Sequence, residues 1–396
     1  MPDESRDDLA RWLEGDGLPA AAAPPRPAPA EPFPADADGE YGRPLRADAA
    51  RPPARPRAAG AIATGSPGLD RAIGAGGWPR GHIAELYGAE GSGKSTLALQ
   101  AIAEAQAEGG VAALVDAEHG LDPAHARRLG VDLGTLLIHQ PDDGDQATLI
   151  GEMLLSSGSV DLLVVDSVAA LAPREEIDGF LGEMPAGLQA AMMGRTLRRW
   201  SAALRRSGAA VVLVNQLRRD PRGGWRDPSI TAGGRSLRFY ASLRVELAVL
   251  GRLPCPGADP RPGDPAGWGG GEPAQGGTGQ DGPGDGVPPA GAGRVAGLRV
   301  RAAVTKNRLA PPGGMAVFDL LFGRGVDRLA ERLDAARADG RLRTDAAGRW
   351  RWRGHDLGAG RAEVRAWFAA RPEAEAELER QGEQVDGARL PERSVT

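Results

Sequence analysis

The chain has 396 residues, 41% of them hydrophobic, and its 53 acidic side chains outnumber 48 basic ones to give a formal net charge of −5. That length suits two or three domains with a sizeable core, and the acidic balance excludes a bulk-charge nucleic-acid binder, so any such contact must be a local basic patch. The lone cysteine, Cys255, excludes an intramolecular disulfide and a cysteine-based metal centre, and no apolar run approaches the roughly 18 residues of a membrane helix. A soluble, cytoplasmic protein with no membrane partner is therefore expected.

Residues 1–60 open on a short helix candidate, Asp7–Glu14, followed by an Ala/Pro/Asp/Arg-rich stretch with almost no large apolar side chain. Such a segment cannot bury enough surface to offset the entropy of ordering and is expected to be mostly disordered. Order is expected from about Thr64. Gly81–Tyr87 reads as a buried strand, Gly88–Ser95 as a glycine-rich loop and Ser95–Glu108 as a helix. Val111–Val115, Thr135–His139, Val160–Val165 and Ala209–Val214 read as further strands, with helical spacing over Gln146–Leu155 and Leu188–Leu204. Nearly continuous apolar strands alternating with helices predict an α/β fold, a mostly parallel sheet flanked by helices. Leu243–Leu250 and Val295–Lys306 add two strands, separated by a Gly/Pro/Asp-rich stretch, 251–293, that reads as a flexible insertion. The core thus covers 61–250 and 294–325. A small α+β C-terminal domain follows over 326–380, with a helix at Val326–Ala338, an Arg/Trp-rich hairpin at Leu342–Arg353 and a helix at Ala362–Phe368, and then a polar tail, 381–396.

The octapeptide Gly88-Ala89-Glu90-Gly91-Ser92-Gly93-Lys94-Ser95 fits Gly-x-x-x-x-Gly-Lys-Ser between a strand and a helix. Its glycines let backbone N–H groups curl toward phosphates, and the helix N-terminus adds positive potential. Lys94 supplies a cation to the β- and γ-phosphates of ATP, and Ser95, followed by Thr96, offers a hydroxyl to Mg²⁺. Asp166 ends an apolar strand and is the second expected Mg²⁺ group, acting through water. Glu118, after another strand, is placed to orient and deprotonate a water, and Gln216, at the same sheet edge, to touch the γ-phosphate.

Together these residues resemble the bacterial RecA recombinase family. The resemblance rests on Thr64-Gly65-Ser66-Pro67-Gly68-Leu69-Asp70, the glycine loop, Asp116-Ala117-Glu118-His119, Leu121-Asp122-Pro123, and Val164-Val165-Asp166-Ser167-Val168-Ala169-Ala170-Leu171. It continues through Met192-Met193, Asn215-Gln216-Leu217-Arg218, Thr231-Ala232-Gly233-Gly234, Phe239-Tyr240-Ala241-Ser242 and Lys306-Asn307-Arg308, covering about 62–250 and 294–375. It implies a RecA-type P-loop ATPase that polymerises on single-stranded DNA, pairs it with double-stranded DNA, exchanges strands in recombinational repair and supports the SOS response as co-protease toward a LexA-type repressor. By resemblance Glu118 is the catalytic carboxylate, Gln216 the γ-phosphate sensor, and Asp122 and His125 border the adenine. Lys306 and Arg308 would reach a neighbouring subunit's ATP across an interface that includes Phe239. The DNA loops would be Pro173–Gly187 and Leu217–Thr231.

The residues support the second loop independently. Arg218, Arg219, Arg222, Arg226, Arg235 and Arg238 face only Asp220 and Asp227, a local charge of +4, and Trp225 sits among them as a stacking surface for single-stranded bases. Arg198, on the preceding helix, joins the DNA-binding set. The first loop is acidic, so its DNA role rests on resemblance alone. The chain departs from the family pattern in its N-terminal segment, in His125 for a tyrosine, in Ala191 for a basic residue and in Arg308 for a lysine. Two other readings stay open: a RecA-like regulatory paralogue with weakened filament formation, and another DNA motor on the same fold.

Overall fold

The computed structural model describes residues 60–179, 187–219, 229–254 and 295–389. The Asp7–Glu14 helix candidate, the rest of the N-terminal segment through residue 59, and residues 255–294 lie outside them. Helix α1 (Pro67–Ile73) opens the core, with Ser66 at its N-cap accepting from the Leu69 amide. Strand β1 (Ile83–Gly88) leads into helix α2 (Lys94–Ala107). Next come β2 (Ala112–Asp116), the short α3 (Pro123–Arg128), β3 (Leu137–His139), α4 (Gly144–Ser157) and β4 (Leu162–Asp166). A five-residue α5 (Arg174–Asp178) and the long α6 (Leu188–Ser207) precede β5 (Ala210–Arg219), α7 (Gly234–Tyr240) and β6 (Leu243–Pro254). Strands β7 (Val295–Asn307), β8 (Met315–Leu321) and β9 (Gly325–Val326) complete the core.

The central sheet has the order β9-β8-β7-β6-β1-β5-β4-β2-β3. From β6 to β3 every pairing is parallel, and from β6 outward to β9 every pairing is antiparallel. The parallel strands bury both faces, which explains why they read as unbroken apolar runs. Ala84, Leu86, Val164, Val212 and Val214 join Leu97 and Ile102 of α2 in one cluster. Ile83, Val165, Val211 and Leu213 point the other way, into a cluster with Leu154 of α4 and Leu197 and Trp200 of α6. Trp200 lies against Gly151, where any Cβ would run into its ring, and donates from Nε1 to Thr148 O at 3.2 Å.

Strand β6 continues four residues past the expected Leu250, because Gly251–Pro254 pair with the start of β7. The Gly/Pro-rich stretch is therefore inserted between two paired antiparallel strands. At the C-terminus, helix α8 (Arg328–Ala338) starts at the Asp327 cap, which accepts from the Ala330 amide. A three-stranded sheet, β10 (Arg343–Thr344), β11 (Trp350–Trp352) and β12 (His355–Gly358), packs with α9 (Arg361–Ala369) around Trp350, Trp352, Phe368 and Leu378. Helix α10 (Pro372–Arg389) runs into the region expected as a polar tail from residue 381. Its apolar face is narrow, Ala374 and Leu378 one turn apart, and the rest is mostly Ala, Glu, Gln and Arg of high intrinsic helix propensity. Intrahelical contacts support it, with Glu377 bound to both Arg380 and Gln381.

Candidate active site

Parallel register brings the site together. Gly88 lies beside Gln216 across β1 and β5, and Asp116 beside Asp166 across β2 and β4. The C-terminal ends of four strands thus form one edge, the location that open α/β sheets use for ligands.

The loop between β1 and α2 is built for close backbone approach. Gly93 adopts φ +90 at the N-cap of α2, and a Cβ there would run into Leu320; one on Gly88 would run into the Leu247 carbonyl. Helix α2 has no side-chain cap and no acid in its first turn, so its leading amides and dipole are left for an anion. Lys94, largely buried, folds back to donate from Nζ to Ala89 O at 2.7 Å. Burial lowers the pKa of its ammonium, opposed by the nearby Asp166, Glu118 and Glu90.

Glu118 is held next to Asp166 through the backbone: the Ala117 and Glu118 amides both donate to Asp166 O, at 2.8 and 3.3 Å. Its carboxylate Oε1 accepts from Gln216 Nε2 at 3.0 Å and from Ser167 Oγ. Asp116, to which its motif alone assigns no role, organises this loop. Its oxygens accept from the Gly120 and Leu121 amides and from Gln140 Nε2. Burial pushes the Asp166 carboxyl up to about 6; the Ser95 hydrogen bond and Lys94 oppose this, while Glu118 and Asp116 add to it.

Among the described residues no group of three His, Cys, Asp or Glu side chains could hold a metal ion. Mg²⁺, however, commonly binds through one or two protein groups, with phosphates and water filling the rest of its shell. The adjoining Ser95 hydroxyl and Asp166 carboxylate, in an acidic surrounding with Lys94 as the nearby cation, fit that chemistry.

A cavity of about 460 Å³ extends from the loop, bordered by Lys94, Ser95, Asp122, His125, Arg128 and Phe322. Asp122 caps α3 by accepting from the Ala124 and His125 amides, which orients His125 toward Thr96, with Nε2 3.5 Å from Thr96 Oγ1. Arg128 and Phe322 at this border were not anticipated; Arg128 lies one helical turn beyond His125, and Phe322 reaches it from a strand end far along the chain. A larger cleft, about 800 Å³, lies between the core and α8, lined by Asp70, Arg71, Glu104 and Arg328 among others, and contains none of the phosphate-edge groups.

The remaining expected site residues lie elsewhere. Lys306 Nζ donates to the Arg238 and Phe239 carbonyls, at 2.5 and 3.2 Å, and Arg308 donates to Phe239 O at 2.9 Å with its guanidinium over the Phe239 ring. Within one chain, both cations therefore cap the end of α7, beside exposed Phe239. Arg198 and Arg235 are exposed. Arg222, Trp225 and Arg226 lie outside the described residues, as do the side chains of Arg218 and Arg219. In the first expected DNA loop, Arg174 is engaged by Asp143 at 2.7 Å. A buried cluster adjoins Gln216: Glu85 accepts from Arg244 at 2.5 Å and from Asn215 at 2.9 Å, and Asn215 also donates to Ala232 O. It connects the strand carrying Gln216 to the turn that follows the second loop.

A family profile for the RecA N-terminal domain matches residues 54–254. Protein RecA of Thioalkalivibrio sulfidiphilus (strain HL-EbGR7) is 40% identical over 336 residues, covering 85% of this chain and 86% of that protein. Protein RecA 1 of Myxococcus xanthus is 40% identical over 334 residues, covering 84% of this chain and 86% of that one. Protein RecA of Chlorobaculum parvum (strain DSM 263 / NCIMB 8327) is 42% identical over 306 residues, 77% of each chain. A crystal structure of the RadB recombinase aligns over 67% of this chain and 98% of that one, at 22% identity and a TM-score of 0.44.

Proposed function

The chain belongs to the RecA family, and on that premise we propose that it is an ATP-dependent DNA recombinase in which nucleotide hydrolysis controls the grip on single-stranded DNA. One observation carries the reading: Gln216 on β5 is bonded to Glu118, so the carboxylate that would activate water is linked to the strand leading into the arginine-rich second loop.

In this reading the backbone of Gly88–Ser95 and Thr96 surrounds the triphosphate, Lys94 neutralises its β- and γ-oxygens, and Asp122 and His125 border the base. Ser95, and Asp166 through water, would hold Mg²⁺, which would supply charge neutralisation on the phosphate oxygens. Glu118 accepts a proton from water as the water oxygen attacks the γ-phosphorus, and the bond to the ADP oxygen breaks. Gln216 turns its amide to the γ-phosphate and changes the course of β5 into the loop. Lys306 and Arg308, at the exposed end of α7, complete the pocket of a second copy in a filament. Arg198, Arg218, Arg219, Arg222, Arg226 and Arg235 would contact the DNA backbone, and Trp225 would stack on bases. A cytoplasmic location, strand exchange with double-stranded DNA and a LexA-type repressor as partner belong to the same reading. Among the described residues no helix is long and apolar enough to cross a membrane.

The test is ATP hydrolysis with and without single-stranded DNA, paired with negative-stain imaging. DNA-stimulated turnover and filaments in Mg²⁺ and ATP are expected; absence of both would sink the recombinase reading.

A further inference from the structure

We infer that Ser167 is a positioning residue for Glu118, the fixed member of a two-donor clamp whose movable member is Gln216. The inference rests on the hydrolytic reading of this edge. Both donors bind the same carboxylate oxygen: Ser167 Oγ–H and Gln216 Nε2–H each point to Glu118 Oε1. Among the described residues neither of these bonds engages Oε2, the oxygen that would face water.

The two donors differ in how firmly they are held. Ser167 is 1% exposed and follows Asp166, whose carbonyl accepts the Glu118 amide, so serine and glutamate are tied through backbone as well as side chain. Its hydroxyl stands at the N-cap of the short turn Val168–Ala170 but makes no capping bond, and is committed to the carboxylate instead. Gln216 is more open and has a second acceptor available when a γ-phosphate is present. Phosphate binding thus withdraws one donor from Oε1, and Ser167 alone then holds the carboxylate plane while Oε2 receives the water proton. At Glu118 itself, idle and active states differ by one hydrogen bond, and the backbone link between Glu118 and Asp166 is kept.

Ser167→Ala, Ser167→Thr and Ser167→Cys in the full chain are compared with wild type for ATP hydrolysis on saturating single-stranded DNA. Alanine is expected to lower kcat about 10- to 100-fold while KM and the affinity for a fluorescent ATP analogue hold, since a misplaced group costs rate rather than binding. Threonine, which keeps the hydroxyl, restores kcat to within about threefold, and cysteine, a weak donor of similar volume, does not. Cysteine gives the same readout should alanine disturb the fold. Adding Ser167→Ala to Glu118→Gln produces no further loss. Wild-type kcat in the alanine and cysteine variants, a loss confined to KM, or full additivity with Glu118→Gln overturns the role of Ser167. No turnover by wild type, or wild-type turnover in Glu118→Gln, overturns the reading of the edge itself.

Discussion

The phosphate edge and the junction between core and C-terminal unit both bury carboxylates whose pKa lies above the ordinary range, but different groups face them. At the edge, Asp166 is surrounded by Glu118 and Asp116, with Lys94 as the nearby cation. At the junction, Glu331 of α8, pushed up to about 7 by burial, accepts from Ser66 Oγ at 2.7 Å and from the Gly68 amide at 3.4 Å. Neighbouring Asp70, raised to about 6 by burial, accepts from the Thr64 amide, and Arg328 pairs with Glu104 across the same seam. The junction meets its own polar needs, which is what structural burial requires. The edge sets Asp166 beside two further carboxylates with Lys94 as the nearby cation, the uneven charge of a working site.

Breaking the edge should therefore lower rate without lowering stability. Lys94→Ala is expected to lower ATP turnover by about 10²-fold or more. The variant's melting temperature should equal or exceed that of wild type, because a largely buried ammonium is removed. Steady-state hydrolysis and a thermal melt without nucleotide check both halves. Retained turnover would remove Lys94 from the site, and a large loss of stability would make the edge structural.

The contrast also explains what was legible in the sequence. The loop and its helix are contiguous, so Gly88 to Thr96 announce themselves by local spacing. Glu118, Asp166 and Gln216 are each marked by position, at or just past the end of an apolar strand, and parallel register brings such ends to one edge. Ser66 and Glu331 are 265 residues apart, and neither carries a local pattern that points to the other; only the packing of α8 on α1 reveals the pair. Ser167 stands within the Val164–Leu171 motif, yet its role depends on a hydrogen bond to Glu118 that spacing does not encode. Helix α10 gives a weak signal because its apolar face is only Ala374 and Leu378 in a polar run, and Phe322 gives none because a side chain after a short strand has no sequence signature for lining a cavity.

A pH series sharpens the comparison at intermediate magnitude. Glu331 titrates at about 7 in the folded chain against the ordinary 4.5, so between those values the native state binds more protons than the unfolded one. Stability from this group is fully present below about 4.5 and is lost as pH rises through about 7. The melting temperature of wild type is expected to fall by several degrees from pH 5 to pH 8. Asp70 and Asp166, both near 6, contribute the same sign. Glu331→Gln cannot ionise, so it flattens chiefly the upper part of the curve, near pH 7, and ATP turnover stays near wild type. An unchanged slope would show that Glu331 remains ionised in the fold.

The smallest expected effect comes from Ser66, and it can be divided into its parts. The side chain accepts from the Leu69 amide at 3.1 Å as the cap of α1, and donates to Glu331. Ser66→Ala removes both bonds and should cost about 1–2 kcal/mol. Ser66→Gly leaves a backbone that caps almost as well, at a few tenths of a kcal/mol, so what it loses beyond that is the donor to Glu331. That donor favours the ionised carboxylate, so its loss counts fully above pH 7 and fades toward pH 5, where Glu331 is protonated. The difference between the Ala and Gly variants, which is the cap, should not vary over that range. Denaturant titrations at pH 5 and pH 8 read both quantities. Equal costs for Ser66→Gly at the two pH values would show that Ser66 serves the helix alone and that the junction carboxylate is held by other groups.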